Sequence, residues 1–127
     1  MKKNIYYHDT DCGGVVYYAN YLKYLEEART EYFAQRGMPI KSLAEKGILF
    51  VVARQEIDYK YPAVYGDILE IKTRVAEMSA VKIVFEHETC NQDKQLINRA
   101  KTILVCVDNH FKPKAFPEEI RKSISAE

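Results

Sequence analysis

The sequence predicts an α+β fold in which one long helix is covered by a curved antiparallel sheet. Early in the chain, apolar residues recur every three to four positions, as they do on one face of an amphipathic helix. From Glu56 onwards the period changes to two, which is typical of half-buried antiparallel strands. Because the helix must bury its apolar face and a curved sheet offers a surface for it, we expect the two parts to pack together.

The long helix is predicted between Tyr17 and Arg36. Gly37 and Pro39 follow it and form a standard stop signal. A short second helix is expected from Pro39 to Lys46, and Pro117 marks the first turn of a third, C-terminal helix. The apolar stripe of the long helix consists of Tyr18, Tyr21, Leu22, Leu25, Ala28 and Tyr32.

Four long strands are predicted after the helices, separated by turn residues. The last of them is apolar on both faces, so we expect it to lie in the middle of the sheet or under a partner. The predicted strands are centred on Glu56–Tyr61, Leu69–Val75, Lys82–Glu86 and Ile103–Val107.

The bulk composition excludes several classes of protein. The chain has 127 residues, of which 47% are apolar and 29% charged, which suits one globular domain over residues 1–127. The formal net charge is +1, so no overall field indicates nucleic acid or a membrane surface as a partner. The longest apolar run is far too short to span a bilayer, so we expect no stable membrane insertion.

The cysteine and histidine pattern predicts neither a disulfide framework nor a metal site. Cys12, Cys90 and Cys106 show no paired spacing, and His8 and Asp9 are expected on opposite faces of a strand end. We therefore expect no metal and no cofactor. Behind its two lysines the N-terminus has no apolar segment of the secretory type, so a cytoplasmic protein is expected.

One short segment combines three features that acyl-transfer chemistry uses. Asp9 and Asp11 precede the Gly13-Gly14 turn, and the long helix begins directly after it. The free N–H groups of a helix N-terminus can hold a developing oxyanion, and a carboxylate can attack or activate water. An aspartate before a helix is nevertheless more often a simple cap, and these residues alone do not select a substrate.

The wider pattern around this segment is dense in motif residues. It contains Tyr7-x-Asp9-x-Asp11-x-Gly13-Gly14-Val15-Val16-Tyr17, followed by Ala19-Asn20-Tyr21 and Glu26-x-Ala28-Arg29. This pattern resembles the 4-hydroxybenzoyl-CoA thioesterase family, and most of all its YbgC-type, Tol–Pal-associated acyl-CoA thioesterases. A weaker resemblance continues to Lys112-Pro113-Lys114-Ala115. The resemblance implies the hotdog fold and hydrolysis of acyl-CoA to a free acid and CoA.

The resemblance also implies roles for individual residues. Asp11 would be the catalytic carboxylate, acting either as a nucleophile or as a general base, and Asp9 would be structural. The backbone N–H near Tyr18 would hold the oxyanion. Many YbgC-type members carry a histidine at this position, so the tyrosine removes any acid–base help from that side chain. The predicted substrate-binding residues are Gly14 and Val15 in the turn, Val52 and Ala53 from a partner subunit, and Lys114 for CoA. Ser79-Ala80 stand where 4-hydroxybenzoyl-CoA thioesterase has an arginine pair, and Lys82 is the nearest cation to that position.

Other readings stay open at this point. Cys12 lies beside Asp11 and could be a nucleophile, and Glu26 is the fallback catalytic carboxylate, although pairing with Arg29 is the simpler role for it. An acyl-thioester hydratase or dehydratase and a non-catalytic acyl-CoA-binding module are the alternative functions. Since one sheet around one helix leaves an edge and a face open, we expect a homo-oligomer, either a dimer or a tetramer.

Overall fold

The structure is a computed structural model that describes residues 1–124. It contains five strands and three α-helices in the predicted order, with a short 3₁₀ turn at Tyr7–Asp9. The elements are β1 Lys2–Asn4, α1 Asn20–Gln35, α2 Ile40–Glu45, β2 Leu49–Tyr59, β3 Ile68–Met78, β4 Lys82–Cys90, β5 Leu96–Val107 and α3 Glu118–Ser123.

The five strands form one antiparallel sheet in the order β1-β3-β4-β5-β2. The strand β5, which was expected in the middle of the sheet, lies between β4 and β2 and is therefore an interior strand. The pairing register shifts at Ala53 in β2 and at Ala76 in β3. Such bulges bend a strand and increase its twist, which helps the sheet to curve around α1.

Helix α1 begins three residues later than predicted and buries a slightly different face. Tyr18 lies before the helix and is 62% exposed, and Leu22 is 45% exposed, so both were wrongly assigned to the buried stripe. Leu22 falls about 100° of helical rotation from Tyr21, at the border of the apolar face. The buried residues of α1 are Tyr21, Tyr24, Leu25, Ala28, Arg29, Tyr32 and Phe33.

The core between α1 and the sheet has two clusters. One surrounds Phe33 and Phe85 towards the C-terminal end of α1, and the other surrounds Leu25 and Ile71 towards its start. Strand β2 begins at Leu49, earlier than predicted, because its first residues are apolar at every position and hide the alternation. Phe50 in this part stacks on Phe33 at 5.1 Å between ring centroids.

The outer face of the sheet is charged, and the sign alternates from strand to strand. Adjacent residues pair across the strands, as in the ion pair between Arg74 and Glu86 at 2.8 Å. Such opposite-charge pairs stabilise neighbouring strands modestly. The face carries Lys72 and Arg74 on β3, Glu86 and Glu88 on β4, Arg99 and Lys101 on β5, and Glu56 and Asp58 on β2.

Candidate active site

Asp11 lies in a tight turn that presents its carboxylate to solvent. The turn is closed by hydrogen bonds from the Asp11 N–H to the Val15 carbonyl at 2.9 Å and from the Gly14 N–H to the Asp11 carbonyl at 3.2 Å. The Gly13 N–H donates to Asp11 Oδ1 at 2.7 Å and so fixes the side chain. Gly14 has a φ of +82°, a conformation that glycine adopts without strain. The result is an exposed, oriented carboxylate with open backbone beside it.

Asp9 is buried and has a different role. Its carboxylate accepts hydrogen bonds from the Tyr24 hydroxyl at 2.7 Å and from the Tyr6 N–H at 2.8 Å. Burial alone would raise the pKa of Asp9, but these hydrogen bonds outweigh it and lower that pKa below its usual value. The Asp9 carbonyl also accepts from the Tyr17 N–H and from the Asn20 side chain. Asp9 therefore ties the turn to the start of α1, which supports the structural role expected for it.

The chain enters α1 with two unused backbone donors. Within residues 1–124, the N–H groups of Tyr18 and Ala19 donate to no described acceptor, whereas the next three N–H groups bond to carbonyls three residues back. These free donors lie at the N-terminal end of a 16-residue helix, where the helix dipole adds partial positive charge. They are suited to hold an oxyanion at the position where the sequence predicted one.

The side chain of Tyr18 lines a groove of about 300 Å³ rather than the core. Its ring meets the ring of Tyr59 edge to face, and the Tyr59 hydroxyl donates to the Tyr18 carbonyl at 3.4 Å. The groove is lined by Val16, Tyr18, Tyr21, Tyr59, Lys60, Tyr61 and Pro62. It offers aromatic walls beside the free N–H groups.

The predicted substrate-binding residues of the turn and of β2 fall into two separate groups within one chain. Gly14 and Val15 lie in the Asp11 turn, where Val15 forms an isolated bridge with Val64, a few residues past the end of β2. Val52 and Ala53 lie instead on the free edge of the sheet, at the bulge of β2, and both are exposed. No described hydrogen bond joins these two groups.

Lys82 and Lys114 lie together at the other end of the sheet. Lys82 begins β4 opposite Val105, and the Lys114 N–H bonds to the Cys106 carbonyl at 2.9 Å. Both lysines are half-buried. Strand β2 begins at their end of the sheet and runs 11 residues towards the Asp11 end. The lysines therefore lie towards the opposite end of the sheet from Asp11 of the same chain.

An apolar cavity of about 360 Å³ lies between α1, α2 and the first half of β2. Val52 lines it, whereas Asp11 does not. Sequence reasoning did not foresee this cavity, because its walls come from five separate segments. The lining residues are Glu26, Arg29, Thr30, Phe33, Ile40, Ala44, Ile48, Leu49, Phe50, Val51, Val52, Leu104 and Phe111.

The expected pairing of Glu26 with Arg29 is not formed. Glu26 accepts a hydrogen bond from Thr30 at 3.0 Å, whereas the buried guanidinium of Arg29 donates to Thr102 at 3.2 Å. Burial lowers the pKa of Arg29, although the Glu26 charge partly offsets this effect. Arg29 lies on the buried face of α1, so its side chain points into the core and does not pair with Glu26 along the helix surface.

His87 is a buried polar residue close to the Arg29 guanidinium. Its Nδ1 lies 3.1 Å from the Thr73 hydroxyl, and its Nε2 has no partner among the described residues. Burial, together with the nearby Arg29 charge, lowers the pKa of His87 to about 3. His87 is therefore neutral at pH 7. Because it sits on β4 beneath α1, it does not contact the Asp11 turn.

The other chemical candidates gain little support. Cys12 is an exposed free thiol and has no described hydrogen-bond partner among residues 1–124. In the same range, no group of three or more histidine, cysteine or acidic residues could hold a metal ion.

No helix in the described part of the chain is both long and apolar enough to cross a membrane.

The fold and the Asp11 turn together define a hotdog protein of the thioesterase class. A model of the thioesterase-like superfamily matches residues 6–124, and the chain belongs to that superfamily. The chain is 40% identical over 119 residues to the acyl-CoA thioesterase YbgC of Haemophilus influenzae, covering 92% of this chain and 87% of that one. It is 38% identical over 117 residues to the acyl-CoA thioester hydrolase YbgC of Escherichia coli O6:H1, covering 91% and 87%.

A solved structure shows the same architecture. The 4-hydroxybenzoyl-CoA thioesterase of Pseudomonas sp. strain CBS-3 superposes with a TM-score of 0.89 at 27% identity, covering 97% of this chain and 96% of that one. The predicted family, the hotdog fold and the enzyme class, an acyl-CoA thioesterase, are therefore confirmed. The roles of individual site residues stay predictions.

Proposed function

We propose that this protein hydrolyses acyl-CoA thioesters with Asp11 as the catalytic carboxylate and the Tyr18 N–H as an oxyanion donor. The observation that carries this proposal is the exposed Asp11 carboxylate in a glycine turn, beside a helix start with free N–H groups. The carboxylate of Asp9, the other aspartate of the motif, already accepts hydrogen bonds from the Tyr24 hydroxyl and the Tyr6 N–H. The geometry thus favours the same aspartate that the family resemblance implies.

The chemistry requires the ionised form of Asp11. In one route, a carboxylate oxygen attacks the thioester carbonyl, the C–S bond breaks, the CoA thiolate leaves, and water hydrolyses the resulting mixed anhydride. In the other route, the carboxylate takes a proton from water as that water attacks the thioester carbonyl, and the C–S bond then breaks and the CoA thiolate leaves. Both routes place negative charge on the carbonyl oxygen, which the Tyr18 N–H would hold. The hydrogen bond from Gly13 aims the carboxylate in either case.

We further propose that the site is completed by a second copy of the chain. Strand β2 is an 11-residue edge strand, and an unpaired edge of this length is suited to pair with another strand. A two-fold axis would pair two β2 strands antiparallel, so the start of one would lie beside the end of the other. Val52, Ala53, Lys82 and Lys114 of one subunit would then approach Asp11 of its partner.

This arrangement gives each part of the substrate a place. The acyl chain would enter the apolar cavity past Val52, and the lysines would face the phosphates of CoA. Dimers of this kind could also associate into tetramers. A cytoplasmic location remains part of the proposal and is supported by the three free cysteines, Cys12, Cys90 and Cys106.

The decisive experiment is the substitution Asp11→Asn. Asparagine keeps an oxygen that can accept the Gly13 hydrogen bond, so the turn should fold normally. We expect kcat for acyl-CoA hydrolysis to fall about 100-fold or more, with no change in thermal stability. Asp93→Asn is the matched control, because Asp93 is an exposed aspartate in the β4–β5 turn. Near-wild-type turnover of every accepted acyl-CoA by the Asp11 variant would reject the assignment.

A further inference from the structure

Phe111 is an exposed aromatic residue in a backbone conformation that suits glycine. Its side chain is 72% exposed, and its φ is +61°. It lies in a tight turn after β5, where its N–H donates to the Asp108 carbonyl at 3.0 Å. The Asp108 carboxylate also accepts the N–H groups of His110 at 2.8 Å and Lys112 at 3.1 Å. A bulky side chain in the left-handed region is uncommon, and such positions often carry function.

The ring of Phe111 is also part of the apolar cavity. It is the only lining residue contributed by this turn, and it joins walls from α1, α2 and β2. The turn lies next to the start of β2, since a Cβ added at Gly47 would be 3.7 Å from Asn109 Nδ2. Val52 lines the cavity further along β2, opposite Leu104, whereas Leu49 at the start of β2 lies opposite Val107, just before the Phe111 turn. Phe111 therefore stands towards the end of the cavity at the start of β2, and Val52 stands towards the other end.

These observations explain an otherwise unfavourable residue choice. Glycine or asparagine would form the turn with less strain, but neither would supply an apolar wall. An exposed phenyl ring also leaves apolar surface in water unless something covers it. The backbone strain and the exposed apolar surface are both explained if the ring contacts an apolar ligand in the cavity.

We propose that Phe111 is a specificity-determining residue that ends the acyl-binding cavity and sets the longest acyl chain it accepts. This inference rests on the proposed function, since the occupant is the aliphatic acyl chain of a CoA thioester that enters past Val52. A chain that fills the cavity buries its terminal methyl against the ring. A longer chain meets the ring and is excluded.

The test compares Phe111→Gly with a control at a second strained turn. Lys94 has a φ of +62° in the β4–β5 turn and does not line the cavity, so Lys94→Gly relieves the same backbone strain elsewhere. For straight-chain acyl-CoA esters from two to sixteen carbons, Phe111→Gly should move the optimum to longer chains. We expect the ratio of kcat/KM for long over short chains to rise roughly tenfold. Lys94→Gly should leave the ratio unchanged.

A binding measurement separates failure of this inference from failure of the proposed function. Calorimetric titration of acyl-CoA esters into Asp11→Asn, with and without Phe111→Gly, reports chain-length preference without turnover. The inference fails if wild-type protein hydrolyses acyl-CoA but Phe111→Gly changes neither the chain-length profile of hydrolysis nor that of binding. It also fails if Phe111→Gly abolishes the use of long chains. If binding shifts to longer chains although wild-type protein shows no hydrolysis, the cavity inference stands and the proposed function fails.

Discussion

The hydrogen bond between Tyr24 and Asp9 should be one of the stronger single interactions in the fold. It joins a buried hydroxyl on α1 to a buried carboxylate at 2.7 Å, and hydrogen bonds to charged groups contribute about 1.5–3 kcal/mol. Tyr24→Phe keeps the ring and removes only the hydroxyl. We expect the free energy of unfolding to drop by about 2 kcal/mol at pH 7, or about 8 °C in Tm.

The cost of Tyr24→Phe should depend on pH in a defined direction. The pKa of Asp9 is lowered below 3.8 in the folded protein, so its stabilising contribution is fully present above that value and is lost as pH falls towards the folded pKa. Once Asp9 is protonated, the bond becomes a neutral one of about 1 kcal/mol. The penalty of the substitution should therefore shrink below about pH 4.

Urea unfolding followed by circular dichroism between pH 7 and pH 3 measures this effect. Tyr65→Phe is the control, because Tyr65 is 62% exposed and its hydroxyl has no described partner within residues 1–124. The reasoning is refuted if Tyr24→Phe costs less than about 0.5 kcal/mol at pH 7, or if its cost is the same throughout the pH range.

Two further predictions concern pH and assembly. Burial lowers the pKa of His87 to about 3, so between about pH 6 and pH 3 the unfolded chain binds one more proton than the folded chain. In this range the free energy of unfolding should decrease by about 1.4 kcal/mol for each unit by which the pH is lowered. His87→Gln should lose this share of the slope in denaturant titrations, and an unchanged slope would contradict the burial of His87. Sedimentation should show at least a dimer, and a stable, active monomer would exclude a site shared across β2.

Much of the fold followed from local patterns, because the strands at Glu56–Tyr61 and Leu69–Val75 alternate between core and charged residues, and the last strand is apolar at Ile103–Val107. The start of β2 did not follow, since Leu49–Val52 is apolar at every position and gives no period. The end of α1 was well predicted by Gly37 and Pro39, whereas its start was not. The Tyr17–Ala19 turn has helix-like i→i+3 bonds, so its boundary depends on hydrogen bonding that sequence does not display.

The candidate site was predictable only in part. Local chemistry marked Asp9 and Asp11 equally, and the structure separates them because one contacts Tyr24 from α1 and the other faces solvent. Phe111 and His87 gave no such local signal. Their environments are set by segments far away in the chain, so a single sequence could not show that one lines a cavity and the other is buried.

The bulge at Ala53 changes which residues of β2 face the core, from even-numbered before it to odd-numbered after it. Before the bulge an even-numbered residue, Phe50, packs into the core, and after it the odd-numbered Gln55 and Ile57 face inwards. Deleting one residue here would remove this change of parity, so both halves would keep their core side chains inside, but β2 would become a regular strand without the bend and added twist of the bulge. The bend of β2 at this point therefore depends on the number of residues between Val52 and Arg54, and not on the side chain that Ala53 carries.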